Sequence, residues 1–156
     1  MASDDRDVSD EHYAAVGKVA SAWALFEGLV DVSIWQVAGL NPQNGACITA
    51  QITGSARKLD ALISLVRHHH GDAAVAKLNK IAQTSQGLAE RRNRIVHDPW
   101  IQEGGSPARL ETTARKRVVV ATIAVSTTEV NRAVDDISTH IDAFEAIINP
   151  LAWPKS

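Results

Sequence analysis

The sequence predicts a mainly α-helical protein: an up-and-down four-helix bundle with a β-hairpin inserted between the third and fourth long helices. Hydrophobic residues recur at three- and four-residue spacings over four long segments, which is the period that places them on one face of a helix. Between the third and fourth segments lies a stretch rich in glycine and β-branched residues, as is typical of strands and turns. Short connections between the helices favour antiparallel neighbours.

The first long helix is predicted to begin after Ser9, a good N-cap that is followed by Asp10 and Glu11. These two acids suit the positive end of the helix dipole. Gly39 and Pro42 predict its end. Its apolar positions are spaced three or four residues apart: Val16, Val19, Trp23, Phe26, Val30, Ile34 and Val37.

A short helical segment is predicted over 43–53, with Gly54 as a break. Ser55 then opens the second long helix, which is predicted to stop at Gly71. Its inward positions are Leu59, Leu62, Ile63 and Val66.

The third long helix is predicted to start at Asp72 as its cap and to run to about Val96. The pair Asp98-Pro99 ends it, because the residue before a proline disfavours the helical conformation. Its inward positions are Val75, Leu78, Ile81, Ser85, Leu88, Arg92 and Ile95.

The hairpin is predicted from strands over 108–113 and 118–125, since the second run is rich in β-branched residues. The segment 126–129, Ser-Thr-Thr-Glu, is a capping-box sequence that launches the last long helix. Its apolar positions alternate four and three apart: Val130, Val134, Ile137, Ile141, Phe144 and Ile148. A tail containing Trp153 follows.

Length predicts a single domain over 1–156, with an ordered core over 9–149 and the hairpin insertion over 100–125. The sole cysteine, Cys47, has no partner for an internal disulfide. The N-terminus is acidic and polar, and no apolar run approaches the ~20 residues that a membrane-spanning helix needs. We therefore expect a cytoplasmic protein without a membrane partner.

Charge is spread unevenly along the chain. The net charge is −2, yet the segments 41–87 and 88–117 each carry +3. This distribution allows a local basic face for an anionic partner, and it is equally compatible with a solvated mixed surface.

A cluster of polar side chains marks the end of the third helix. Arg91, Arg92 and Arg94 fall within four residues and precede His97. Arginine holds phosphate in a fixed fork, and the proton of histidine moves easily near neutral pH. Asn93 and His97 lie four apart, so they share one helix face. This combination indicates phosphodiester chemistry, provided that the fold brings the side chains together.

Two charges fall within apolar stripes. Arg92 lies among the inward positions of the third helix, and Glu27 lies among those of the first. An inward charge costs several kcal/mol unless it is paired or faces a wet cleft. Two interpretations stay open: a structural ion pair between Glu27 and Arg92, or a polar groove at the bundle end that Arg92 lines.

Three neighbours are candidate substrate-binding residues. Arg91 and Arg94 would contact a phosphate backbone, and Trp100 would be a stacking platform or a lid over the cluster. No metal site is predicted, because the run His68–His70 lacks a second group of ligands and reads as a helix C-terminal cap.

The segment Arg92-Asn93-Arg94-Ile95-Val96-His97 resembles the signature of the HEPN superfamily, an arginine and a polar residue followed at a short distance by a histidine. Here four residues lie between Arg92 and His97, and Asn93 fills the polar position. The predicted helices resemble the family over most of the chain, whereas the hairpin over 100–125 looks like an elaboration.

The resemblance implies a metal-independent endoribonuclease that cleaves RNA as a homodimer, leaves a 2′,3′-cyclic phosphate and needs no cofactor. Carried over to this chain, Arg92 and His97 would be catalytic and Asn93 would assist them. Such proteins often serve as the toxin of a toxin–antitoxin pair or in phage defence, which implies an antitoxin or a nucleotidyltransferase as partner protein. The alternative is a catalytically inactive HEPN-like dimer that binds nucleic acid, a nucleotide or a protein.

Overall fold

The computed structural model describes residues 8–114 and 116–152, and this part of the chain is mainly α-helical with one small antiparallel sheet. The helices are α1 (Asp10–Val37), α2 (Pro42–Thr49), α3 (Ser55–His70), α4 (Asp72–His97) and α5 (Thr127–Ala152). The strands are β1 (Trp100–Glu103), β2 (Ser106–Thr113) and β3 (Val119–Ala124). None of the described helices combines the length and the apolar character needed to cross a membrane.

Helices α1 and α2 begin at side-chain caps. Ser9 Oγ accepts a hydrogen bond from the His12 backbone N–H at 3.2 Å, as expected for the predicted N-cap. Asn41 Oδ1 caps α2 in the same way, and Pro42 occupies its first turn, where a missing N–H costs little. The predicted short helical segment therefore exists, but it ends at Thr49 and does not reach residue 53.

Gly71 separates α3 from α4. Its φ of +82° is a conformation that glycine adopts without strain, and it lets the chain reverse between the two helices. Asp72 is the first residue of α4 and not its cap, which corrects the prediction; its carboxylate accepts a hydrogen bond from Arg67 Nε at 2.9 Å. At the other end α4 stops after His97, because Asp98 is already extended ahead of Pro99.

The region 100–125 forms three strands in the order β1-β2-β3, where the sequence predicted two. Strands β2 and β3 make the predicted hairpin, and β1 is an addition that the sequence analysis missed. A two-residue turn, Gly104-Gly105, joins β1 to β2 with φ of +58° and +80°, as the favoured hairpin turns require.

The capping box of α5 is confirmed. The Ser126 backbone N–H donates to Glu129 Oε2 at 2.8 Å, and the Glu129 backbone N–H donates to Ser126 Oγ at 3.2 Å. These hydrogen bonds from Ser126 lower the pKa of Glu129, because they favour its ionised form. The helix continues through Pro150 to Ala152, past the core boundary predicted at residue 149. The tail with Trp153 lies outside the described residues.

The core lies between the long helices. Helix α1 contacts α3, α4 and α5, while α4 also contacts α3 and α5. The largest fully buried side chains come from all four of these helices: Phe26, Phe144, Leu59, Leu62, Leu78, Ile137 and Ile148. Helix α4 is thus held by contacts with the three other long helices, which position its last turns.

Two buried histidines connect α5 to its neighbours. His140 Nε2 lies 2.7 Å from Ser85 Oγ of α4, and the imidazole packs against Phe26 with ring centroids 4.9 Å apart. His12 Nδ1 of α1 lies 3.0 Å from Thr127 Oγ1 at the start of α5. Burial lowers the pKa of both imidazoles, because a charged ring loses its hydration there.

Candidate active site

The last two turns of α4 bring the three predicted catalytic side chains together. Arg92 Nη1 donates a hydrogen bond to Asn93 Oδ1 at 2.9 Å and lies 3.5 Å from His97 Nε2. Although Arg92 and His97 are five residues apart, the long arginine side chain spans the intervening turn. The amide of Asn93 fixes the guanidinium beside the imidazole.

The contact between Arg92 and His97 is weak. The separation of 3.5 Å is at the outer limit for a hydrogen bond. A guanidinium can only donate, so it would use the lone pair of His97 Nε2 if that nitrogen is unprotonated. Once the guanidinium turns to an anion, this lone pair is free to accept a proton from a substrate.

Arg92 differs from the neighbouring arginines in having no carboxylate partner within 4.0 Å among the described residues. Arg91 Nη1 lies 2.6 Å from Asp136 Oδ2, and Arg94 lies 3.5 Å from Asp98 Oδ1. The Nε of Arg92 is buried and has no hydrogen-bond partner in the described part of the chain. A buried donor of this kind is costly, and it is not accessible to a ligand. An anion at the terminal nitrogens of Arg92 would gain a charge-assisted contact without first displacing a carboxylate.

The ion pair between Glu27 and Arg92, one of the two arrangements expected from the apolar stripes, is not formed. No bridge joins these two described residues, and the Arg92 guanidinium turns towards Asn93 and His97 instead. The physical reason is that a position within a stripe gives the direction of Cβ around the helix axis. It does not fix where the tip of a long side chain ends along that axis.

An open groove lies beside this cluster. Its volume is about 640 Å³, and its lining comes entirely from the end of α4 and the residue after it: Glu90, Asn93, Arg94, His97 and Asp98. His97 is exposed on this groove, so its imidazole is accessible to a substrate. The predicted shared face of Asn93 and His97 therefore forms one wall of the groove.

Strand β2 holds Asp98, one of the residues that line the groove. Arg109 Nη1 lies 2.6 Å from Asp98 Oδ2 and 2.8 Å from Glu111 Oε2, and Arg94 bridges the same two acids at 3.5 and 3.7 Å. Two cations and two anions thus form one closed network that neutralises Arg94 and holds Asp98. Sequence reasoning missed Arg109 and Glu111; their spacing of two on a strand, which puts them on one face, was the available signal.

Two predicted substrate-binding residues point elsewhere. Arg91 pairs with Asp136 and donates through Nη2 to the Glu129 carbonyl oxygen at 3.1 Å, so it is engaged with α5. The Trp100 indole N–H donates to the Ile95 carbonyl oxygen at 2.9 Å, and its ring packs edge-on against His12 with centroids 4.3 Å apart. Trp100 is therefore a half-buried packing residue and does not cover the groove.

No family model matches the chain, and comparisons with curated proteins and with solved structures also found no match. The possible activity of the site therefore has to be inferred from its side chains. A fixed guanidinium, an accessible imidazole and an amide can bind a phosphate and move a proton next to it. Asn93 and His97 supply the amide and the imidazole from the wall of the groove, and Arg92 supplies the guanidinium in contact with both.

Proposed function

We propose that this protein is a metal-independent endoribonuclease of the HEPN type that acts as a homodimer. The observation that supports the proposal is the cluster at the end of α4, where Arg92 has no carboxylate partner in the described part and lies 3.5 Å from His97 Nε2. The proposal includes the finer fold assignment: α1, α3, α4 and α5 form an up-and-down four-helix bundle, and the sheet is an addition to it.

The reaction is a transfer within the RNA. His97 Nε2 takes the proton of a 2′-hydroxyl, and the 2′-oxygen forms a bond to the adjacent phosphorus. The bond from phosphorus to the 5′-oxygen breaks, and an imidazolium donates a proton to that leaving oxygen. The products are a 2′,3′-cyclic phosphate and a free 5′-hydroxyl. The Arg92 guanidinium pairs with the non-bridging oxygens, whose negative charge grows at the transition state.

Dimerisation supplies the second proton-transfer group. One imidazole cannot act at the same moment as base on one side of the phosphorus and as acid on the other. A two-fold interface places a second copy of the same surface opposite the first, so the partner's His97 becomes the acid. The groove is open and His97 is exposed on it, which leaves room for this arrangement.

The proposed biological role follows from the resemblance of the segment Arg92–His97 to the HEPN signature. A chain of this type would act on RNA in the cytoplasm as a toxin of a toxin–antitoxin pair or as a phage-defence effector. Its partner protein would be an antitoxin, or a nucleotidyltransferase that modifies it.

The proposal is tested by incubating the purified protein with RNA in the presence of EDTA. We expect cleavage by the unaltered protein and a loss of roughly 10²- to 10⁴-fold in His97→Ala, as removal of a general acid–base group produces. Arg92→Ala should lose a comparable factor. His69→Ala and Arg67→Ala are matched controls, since these exposed residues of α3 lie outside the groove. Circular dichroism should show the same helical content in all variants.

Cleavage that requires an added metal, or that survives both substitutions in the groove, would refute the proposed mechanism. RNA binding without cleavage would instead favour the catalytically inactive HEPN-like dimer. Expression in bacteria separates the two functions further: growth arrest by the unaltered protein but not by His97→Ala supports the nuclease.

A further inference from the structure

A line of polar side chains extends from the candidate active site along α4. Gln83, Gln86, Glu90, Asn93 and His97 are separated by three, four, three and four residues, so they lie on one face of the helix. All five are exposed. At a rise of 1.5 Å per residue, the line from Gln83 to His97 is about 21 Å long.

Two grooves follow this line. The first is the groove around His97, and the second has a volume of about 510 Å³ and lies between α3 and α4. They share Glu90 and Asn93, so they adjoin along α4. We call the second groove, together with its junction to the first, the α3–α4 channel. Most of its lining surface is apolar, and its polar lining residues are Ser55, Asp60, Gln83, Ser85, Gln86, Glu90 and Asn93.

We propose that the α3–α4 channel binds single-stranded RNA next to the cleaved phosphate and that Gln83 and Gln86 select the bases bound there. This inference rests on the proposed nuclease function and adds the residues that determine its base preference. A carboxamide offers two donors and an acceptor, which suits the edge of an unpaired base. Neither carboxamide is hydrogen-bonded to another described residue, so both are available to a ligand.

The charged residues that line the channel favour the binding of bases over the binding of phosphates. Glu90 and Asp60 line it, and neither forms a salt bridge with a described residue. A carboxylate repels phosphate but accepts hydrogen bonds from the exocyclic amino group of a base, such as N4 of cytosine. The phosphate that reacts would lie at Arg92, at the end of the channel. The strand would therefore turn its bases towards α4 along the line from Gln83 to Glu90.

A helical peptide suits this channel less well. Binding of an amphipathic helix needs large apolar anchor pockets, and the apolar side chains here are limited to alanines: Ala56, Ala82 and Ala89. A second copy of the chain remains an outcome that the experiment below identifies.

The test uses the full chain and a double variant, Gln83→Ala/Gln86→Ala, with Gln43→Ala/Gln51→Ala as the matched control on exposed glutamines of another region. Each protein digests a single-stranded RNA pool of random sequence in EDTA, and the cut positions are sequenced. Binding of a 2′-deoxy oligonucleotide is measured by fluorescence anisotropy, with the preferred sequence where RNA is cut and with the sequence that the unaltered protein retains from a random pool where it is not. We expect the channel variant to cut at different sequences and to bind this probe roughly 10-fold more weakly or worse, as the loss of base contacts implies. The control should match the unaltered protein in both measurements.

The outcomes separate the two proposals. Cleavage with unchanged cut positions and unchanged probe affinity in the channel variant overturns the channel and leaves the nuclease in place. Probe binding that depends on Gln83 and Gln86, in a protein that does not cleave, supports the channel and refutes the nuclease. A channel variant that changes only the sedimentation coefficient shows that the face is a contact between two copies, which also overturns the inference.

Discussion

Acid should destabilise this protein through His140. The imidazole is only 5% exposed, and it packs between Phe26 of α1 and Ser85 of α4. Because burial lowers its pKa, the unfolded chain binds a proton at this residue more readily than the folded chain does. The resulting contribution to stability is fully present above the unfolded pKa of about 6.5 and is lost as the pH falls towards the folded value.

The magnitude follows from proton linkage. A single group that is protonated in the unfolded state and neutral in the folded state lowers the free energy of unfolding by at most ~1.4 kcal/mol per pH unit. In His140→Phe the ring can still pack against Phe26, while Ser85 can hydrogen-bond to the preceding turn of its own helix. We therefore expect this variant to lose a slope of up to ~1.4 kcal/mol per pH unit below pH 6.5. His12, whose pKa is lowered in the same direction, keeps its own contribution.

Urea denaturation at several pH values between 5.0 and 7.5, followed by circular dichroism, measures these slopes. The exposed His69 provides the control, and His69→Phe should keep the pH dependence of the unaltered protein. Identical slopes for the unaltered protein and for His140→Phe would show that the imidazole titrates as freely in the folded state as in the unfolded chain. The burial argument would then be refuted.

Two further predictions concern packing and the charge network. In Gly45→Ala the new Cβ would overlap the Trp35 ring, whose indole donates to Thr49, so we expect a loss of about 1–3 kcal/mol in thermal denaturation. Gly28→Ala is its control, because a Cβ there meets open space; a destabilised control and an unaffected Gly45→Ala would contradict the reasoning. Arg109→Ala should lower the free energy of unfolding by about 2 kcal/mol in urea denaturation, because Asp98 and Glu111 lose their shared cation. This is less than the ~3–5 kcal/mol expected when one partner of a fully buried pair is removed. Its cleavage rate should also fall, and normal stability would show that the network is solvated.

Helix boundaries were predictable where a local signal fixes them. The capping box at Ser126 and Glu129 could be recognised in the sequence because both partners lie within one turn. The end of α3 at Gly71 was also predictable, because a glycine after an amphipathic helical segment predicts a break. The end of α4 followed from Pro99 alone. Each of these signals depends on neighbours in sequence, so no tertiary knowledge was needed.

Contacts between distant residues were harder to predict. The Glu27–Arg92 pair was one of two arrangements that the apolar stripes left open. A stripe shows which face of one helix is apolar, but it does not determine which residue of another helix lies opposite. Trp100 was interpreted as a stacking platform because it follows a proline. Its indole is used instead to bind the Ile95 carbonyl at the end of α4. Strand β1, which begins at Trp100, is only four residues long, too short for a reliable alternation pattern.

In the candidate site, too, local features could be predicted from the sequence and long-range contacts could not. The side chains of Arg92, Asn93 and His97 were found because they belong to one helix end. The residues that hold the groove, Arg109 and Glu111, come from β2 and reach Asp98 only after the chain has turned back. Nothing local in the sequence indicates the register that brings them there.

The three-stranded sheet has a practical consequence for anyone who trims this protein to a minimal domain. It resembles a dispensable addition, since it lies between two helices in the sequence and contributes no residue to the cluster of Arg92, Asn93 and His97. Yet the Leu110 backbone N–H binds the Pro99 carbonyl at 2.9 Å, the Val125 backbone N–H binds that of Pro107 at 3.1 Å, and Arg109 holds Asp98. Replacing the sheet with a flexible linker would release Asp98, which lines the groove beside His97, from Arg109. The shortened protein would keep α4 but lose the fixed edge of its groove.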